Sequence, residues 1–252
     1  GAYQKGGFDI SVSAISMLSQ RRRLPWAGTF AERRIRDASA MVRLFREKGE
    51  YWMCCCAAES EAYAYGTGHV PVMLNEVVDF LAPGPGGRYL DCTFGGGGHS
   101  RAVLEAHSSI RVVALDRDPD AENRARAMSN ANGDRLTFHR FDFGSLATLP
   151  ETGFTGILFD LGVSSFQLDD PNRGFSFRQE SPLDLRMDPE SGLPASAWLE
   201  TVSEEALVHA IRNYGEERRW RSVVSAIMEA RGSSRLTTTT GLSSLIESAL
   251  PG

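Results

Sequence analysis

The sequence predicts an α/β fold built on a parallel, doubly wound sheet, and three observations carry that expectation. Short apolar runs alternate with stretches whose apolar residues recur at helical spacing, the pattern of strands joined by crossover helices. The first run passes into four consecutive glycines at 95–98 before a helix begins. Each of four runs ends at or near an aspartate, Asp91, Asp116, Asp142 and Asp160. In a parallel sheet the carboxyl ends of the strands face the ligand, so four acids there converge on one crevice.

Taken in order, residues 1–68 differ from the rest of the chain. Arg21, Arg22, Arg23, Arg33, Arg34, Arg36, Arg43 and Arg46 lie among serine, alanine and isolated apolar residues. The segment holds 10 Lys/Arg and 7 Asp/Glu, against 17 and 25 in the remainder. We expect an extension that is poorly ordered or foreign to the fold, with a mitochondrial targeting segment as the alternative. Cys54, Cys55 and Cys56 are adjacent, a spacing for neither a disulfide framework nor a zinc site, and Cys92 stands alone. That usage points to a reducing, intracellular compartment, cytoplasmic in the simplest reading.

Order is expected from about His69. Leu74, Val77, Val78 and Leu81 form the stripe of an amphipathic helix that ends at a Pro-Gly run. Strands are expected over residues 88–91, 111–116, 136–141 and 156–159, with helices after the glycines and after Asp118-Pro119, an N-cap followed by proline at the first helical position. From Pro171 the period becomes helical throughout. Leu207, Ala210, Ile211 and Tyr214 make one inward stripe, Trp220, Val223, Val224 and Ile227 a second, and Leu242, Leu245, Ile246 and Ala249 a third. The expected organisation is therefore a ligand-binding first half of a sheet over 69–170 and a helical region over 171–252.

The net charge of −5 does not advertise nucleic-acid binding, so an RNA site would be a local patch. No apolar run approaches the roughly 18 residues of a membrane span. A dinucleotide loop would read Gly-x-Gly-x-x-Gly, whereas Gly95-x-Gly97 is followed by Ser100. Asp91 instead stands four residues before the first glycine. A carboxylate there repels a pyrophosphate and suits a cationic ligand without phosphate, such as S-adenosylmethionine, and this weighs against a nicotinamide-dependent dehydrogenase. Asp116 lies at the spacing where an acid binds ribose hydroxyls, and Asp142-Phe143 would border the adenine. No Gly-Lys-Ser/Thr follows the glycines, which disfavours a phosphate loop.

Five ordered motifs then point to one family. They are residues 91–100 (DCTFGGGGHS), 160–170 (DLGVSSFQLDD), 173–177 (RGFSF), 183–188 (LDLRMD) and 214–218 (YGEER). Together they closely resemble the RsmH (MraW) family of small-subunit ribosomal RNA (cytosine-N4)-methyltransferases. The resemblance implies a class I (Rossmann-like) methyltransferase fold with helices on both faces of the sheet and an inserted helical substrate-recognition domain. It implies S-adenosylmethionine as cofactor and the small ribosomal subunit with its 16S-type RNA as partner; it invokes no membrane and admits a homodimer. Matched motif by motif, cofactor contacts fall on Gly97, Gly98, His99, Asp116, Phe143, Asp160 and Gln167. The family's chain continues through another helix and a later strand beyond the point where this sequence stops, so the strand of Asp160 is expected to be an exposed edge. A non-catalytic remnant that binds cofactor or RNA is the alternative function. Cys92 stands where a glycine-like residue is expected and should pack inward.

For chemistry, cytosine N4 is a poor nucleophile whose methylation depends on positioning and electrostatics. Asp160 is the candidate catalytic residue, orienting the amine or binding cofactor alone. Ser164 and Ser165 are candidates for the base edge or for a simple turn. A covalent mechanism through Cys92 is not expected, because the proline that precedes such cysteines is missing. Phe166, Phe175 and Phe177 interleave with Arg173, Arg178 and Arg186; of these, Arg173, Phe175, Arg178 and Arg186 are the candidate RNA contacts, the competing reading being core phenylalanines beneath surface arginines. The 214–218 stretch reads as a helix junction with Gly215 as its C-cap.

Overall fold

The structure, a computed structural model, describes residues 52–56 and 71–250. Five parallel strands form one sheet: β1 (Trp52–Cys56), β2 (Arg88–Asp91), β3 (Arg111–Asp116), β4 (Leu136–Arg140) and β5 (Gly156–Leu161), in the order β1-β5-β2-β3-β4. Three α-helices alternate with them, α1 (Leu74–Leu81), α2 (Gly98–Ala106) and α3 (Pro119–Asn132).

The unbroken apolar runs of the strands reflect burial on both faces. Tyr89, Val112, Ala114 and Leu158 pack with Val77 and Leu81 of α1, Val103 and Leu104 of α2, and Ala121, Ala125 and Met128 of α3. Their neighbours Leu90, Cys92, Val113 and Leu115 point the other way, against Phe141, Leu146, Leu149, Phe154, Ile157 and Phe159. A 3-10 segment (Phe143–Thr148) contributes Leu146 to that second layer. Helix α3 starts as expected, with Asp118 accepting from the Asp120 amide at 3.0 Å and Pro119 in the first turn.

Two expectations about the N-terminal part change. Trp52–Cys56 is a strand of the sheet rather than part of a poorly ordered extension, and the remainder of 1–68, with the proposed targeting segment, lies outside the described residues. Because β1 pairs with β5 in register Cys55↔Asp160 and β2 pairs on the opposite side, the strand of Asp160 is not an edge. The unpaired peptide groups that make an edge hazardous are hydrogen-bonded to β1 instead.

A second compact unit begins at Val163, ahead of the expected Pro171. It contains α4 (Ser165–Asp169), α5 (Ala195–Thr201), α6 (Glu204–Val208), a π-helical turn (His209–Tyr214), α7 (Trp220–Ala230) and α8 (Thr239–Ala249). Leu207, Ala210 and Ile211, then Val223, Val224 and Ile227, then Leu242, Leu245 and Ile246 form its core, as the helical stripes require. Tyr214 departs from its stripe and is 60% exposed. The cause is the π turn: the Gly215 amide donates to the Ala210 carbonyl, five residues back, and the extra residue per turn rotates Tyr214 off the inward face. Gly215 caps that turn in right-handed geometry (φ −78°), and the left-handed residue is Glu216 (φ 51°). Glycine is needed at 215 because a Cβ would stand 2.8 Å from the Ile211 carbonyl oxygen.

Candidate active site

The sheet unit's candidate site grows from the end of β2. Asp91, 4% exposed, accepts the Thr93 amide at 3.1 Å through one oxygen and the Ser100 hydroxyl at 2.6 Å through the other. The first bond is an Asx turn that bends the chain out of the strand. Thr93 in turn accepts the Asp160 amide at 2.7 Å, which couples the loop to β5.

Next come the glycines, and two of them are dictated by geometry. Gly95 (φ 51°) donates its amide to Asp116 at 2.7 Å, while its carbonyl accepts from Arg124 Nε at 2.9 Å. Gly97 (φ 75°) is the N-cap of α2, and a Cβ there would meet the Phe94 ring at 2.5 Å and the Met128 methyl at 2.6 Å. The loop thus lies flat against its own core, and only glycine fits at 97.

His99, 5% exposed, holds its Nε2 at 3.0 Å from the Val72 carbonyl. A carbonyl only accepts, so Nε2 is the donor in that bond and Nδ1 is the ring nitrogen that faces Asp160, 3.8 Å away. Asp116 accepts the Gly95 and Asp118 amides, one on each oxygen. Asp160 differs from Asp91 and Asp116: its carboxylate accepts no hydrogen bond among the described residues, and its side chain is 30% exposed.

Burial pushes all three carboxyls above their ordinary value of 3.8. In Asp91 the Ser100 bond, His99 and the Thr93 bond oppose the rise; in Asp116 the Asp118 and Gly95 amides do. At Asp160 the proximity of His99 pulls down while Asp91 adds to the rise. No Lys or Arg forms an ion pair with any of the three among the described residues. Such a set is short of positive charge, so a cationic ligand fits it and a phosphate does not. The fourth acid does not join them. Asp142, half exposed, caps the 3-10 segment through the Gly144 amide and pairs with Arg117 at 3.5 Å. Its neighbour Phe143 is 38% exposed and meets Phe159 edge-on at 5.7 Å, leaving ring surface open to a planar ligand.

The model of the MraW methylase family matches residues 66–252. The chain belongs to that family. Among its curated relatives, ribosomal RNA small subunit methyltransferase H of Gluconobacter oxydans is 47% identical over 188 residues, covering 73% of this chain and 57% of that protein. The protein of the same name from Thermomicrobium roseum is 49% identical over 185 residues, covering 71% and 57%. That of Rickettsia bellii is 44% identical over 183 residues, covering 72% and 59%. The chain therefore spans somewhat under three fifths of the length of these relatives.

Of the residues assigned from the family's motifs, Gly97, Gly98, His99, Asp116, Phe143 and Asp160 all belong to the sheet unit: Gly97 on the loop, Gly98 and His99 in the first turn of α2, Asp116 and Asp160 at strand ends and Phe143 in the 3-10 segment. Gln167 belongs to the helical unit, where its Oε1 accepts the Ser164 amide and its own amide donates to the Ser164 hydroxyl. This capping box answers the Ser164 question in favour of a helix start, and the Ser-x-x-Gln spacing was its signal. Thr93, Ser100 and Arg124 are positioning residues that sequence reasoning missed. The first has a signal, two residues past an aspartate; the other two act through tertiary contacts that leave none.

The RNA candidates need correction. Phe175 is 4% exposed inside the helical core and offers no stacking face. Arg173 is 7% exposed and donates through Nη2 to the carbonyls of Arg186 and Met187. Arg186 forms a two-pronged pair with Asp184 at 2.8 and 2.7 Å. Although burial pushes Asp184 up, those bonds hold its carboxyl below the ordinary 3.8. Arg178 alone of the four is exposed. The family motifs at 173–177 and 183–188 thus serve to lace two loops together, because buried carbonyls need donors.

Cys92 packs inward as expected, 2% exposed between Leu90, Val113 and Leu115. Burial, and secondarily Asp91, push its thiol up to about 12. We expect Cys92 to resist iodoacetamide at about pH 8, where an ordinary thiol is partly ionised, and to react fully in denaturant. Peptide mapping by mass spectrometry separates it from Cys54–56; rapid native labelling at 92 would contradict the burial.

Proposed function

We propose that this chain carries the cofactor half of an S-adenosylmethionine-dependent methyltransferase that modifies N4 of a cytidine in small-subunit ribosomal RNA. The observation that carries the reading is the set of three carboxylates around the glycine loop, Asp91 buried and Asp116 and Asp160 partly so, with Asp160 the member free to accept. S-adenosylmethionine, when bound, supplies an electrophilic methyl on a cationic sulfur. Gly97, Gly98 and His99 would line it along the loop, Asp116 would take the ribose hydroxyls, and Phe143 would cover the adenine.

The chain's own residues account for the demands of N4 methylation. Asp160 can accept a hydrogen bond from the amino group and fix its lone pair toward the methyl. His99, anchored by the Val72 carbonyl, places its Nδ1 3.8 Å from the Asp160 carboxylate, beside the group that faces the amine. Thr93 holds the Asp160 backbone in place at 2.7 Å, so the acceptor is positioned before substrate arrives. The relatives' names supply the substrate class, and the cytosine-N4 assignment rests on the motif resemblance. A cofactor- or RNA-binding chain without turnover is the second reading.

Calorimetry with S-adenosylhomocysteine and with NAD tests the cofactor; binding to NAD alone would sink the proposal. Substrate is tested by supplying small ribosomal subunits and methyl-labelled cofactor to the full-length protein. Label in N4-methylcytidine is the expected product, and its absence would leave the second reading.

A further inference from the structure

With Arg173 and Phe175 buried and Arg186 paired to Asp184, the helical unit offers a different surface for nucleic acid. It is centred on the π turn (His209–Tyr214) and the start of α7. Residues 209–221 hold four arginines and two glutamates in a chain whose net charge is −5. The Arg221 and Arg212 guanidiniums lie over the Trp220 indole at 4.4 and 5.4 Å from its centroid. Arg212, Arg218 and Arg221 are exposed, and none has a carboxylate partner among the described residues. Tyr214 is 60% exposed and is braced edge-on by His209 at 4.6 Å.

We propose that this Tyr214–Arg212–Trp220–Arg221 surface binds a single-stranded RNA segment, with phosphates on the two stacked guanidiniums and a base on Tyr214. It rests on the rRNA reading above and deepens it. An arginine lying on an indole is held flat with its N–H groups free at the edge, so little side-chain entropy remains to be lost when a phosphate arrives. A braced, exposed tyrosine is the stacking platform that unpaired bases use. Trp220 and Arg221 also line a groove of about 570 Å³, together with Met228, Glu204 and Glu229. The π turn explains why Tyr214 is available at all, since regular helical spacing would bury it; π turns concentrate at functional sites.

Fluorescence anisotropy with a labelled, unstructured RNA of about 12 nucleotides tests the surface, using the whole chain, Tyr214→Ala and the double variant Arg212→Ala/Arg221→Ala. The double variant should lose about tenfold or more in affinity and flatten the salt dependence by about one to two units of slope. Tyr214→Ala should lose about tenfold with the salt slope unchanged. S-adenosylhomocysteine binding should stay at the wild-type level in both, which shows that the sheet unit is intact. Variants that bind RNA like wild type would overturn the surface, as would polyglutamate displacing the RNA with no effect of Tyr214. A wild-type chain that binds S-adenosylhomocysteine but no RNA also overturns it while sparing the cofactor assignment; binding neither defeats the underlying reading.

Discussion

Gly97→Ala destabilises the chain by about 2–4 kcal/mol, combining a left-handed backbone with a crowded Cβ. At φ 75° an alanine is strained before any contact is considered, and its Cβ would lie 2.5 Å from the Phe94 ring and 2.6 Å from Met128. Gly86 is the internal control. It has the same φ of 75° with nothing within 4 Å, so Gly86→Ala should cost only the backbone part, about 1 kcal/mol. Denaturant unfolding followed by far-UV circular dichroism measures both. Equal losses at the two positions would mean that Phe94 and Met128 yield, and that the loop is not pinned to the core as described. Because α2 begins at Gly98, a displaced loop also shifts His99, so S-adenosylhomocysteine affinity should fall with Gly97→Ala and hold with Gly86→Ala.

Asp160→Asn should weaken S-adenosylmethionine by about tenfold, ~1.4 kcal/mol, and S-adenosylhomocysteine, whose sulfur is uncharged, much less, because a carboxylate without hydrogen bonds is where a cation gains most. Its pH dependence comes from the raised carboxyl. A cation favours the ionised form, so wild-type affinity for the sulfonium should rise as pH climbs from 3.8 through the raised value of Asp160, while the variant's profile over that interval is flatter. Stability of the ligand-free chain has the opposite sign. A carboxyl raised by burial contributes stability that is present below 3.8 and lost as pH rises through the folded value. The stability difference between wild type and Asp160→Asn should therefore turn against wild type across that window. Calorimetry of both ligands and denaturant unfolding at several pH values provide the two measurements. A variant that loses both ligands equally, or a pH-independent difference, would remove Asp160 from the cationic part of the site.

Much of this site was legible because its residues sit at strand ends, where one apolar run, one aspartate and one glycine loop succeed each other in the chain. Asp91, Asp116, Asp160 and the glycines needed only local pattern to be found. Asp142 has the same pattern and a different role, since its carboxylate turns to Arg117 and Gly144, a choice made by side-chain partners rather than by position. The arginine–phenylalanine motifs misled for a related reason. An arginine reads the same in sequence whether it is exposed or buried, and only the carbonyls of Arg186 and Met187 reveal that Arg173 is internal.

Local pattern was enough to establish the family, the parallel strands, the start of α3 and the inward stripes of the helical unit, because periodicity and capping act between near neighbours and repeat along the chain. Long-range packing was needed to show that Trp52–Cys56 closes the β5 edge, that His99 presents Nδ1 to Asp160, and that Tyr214 stands exposed. Each of these depends on a partner distant in sequence or on a single added residue in a helical turn, and neither leaves a repeating mark for a pattern to read.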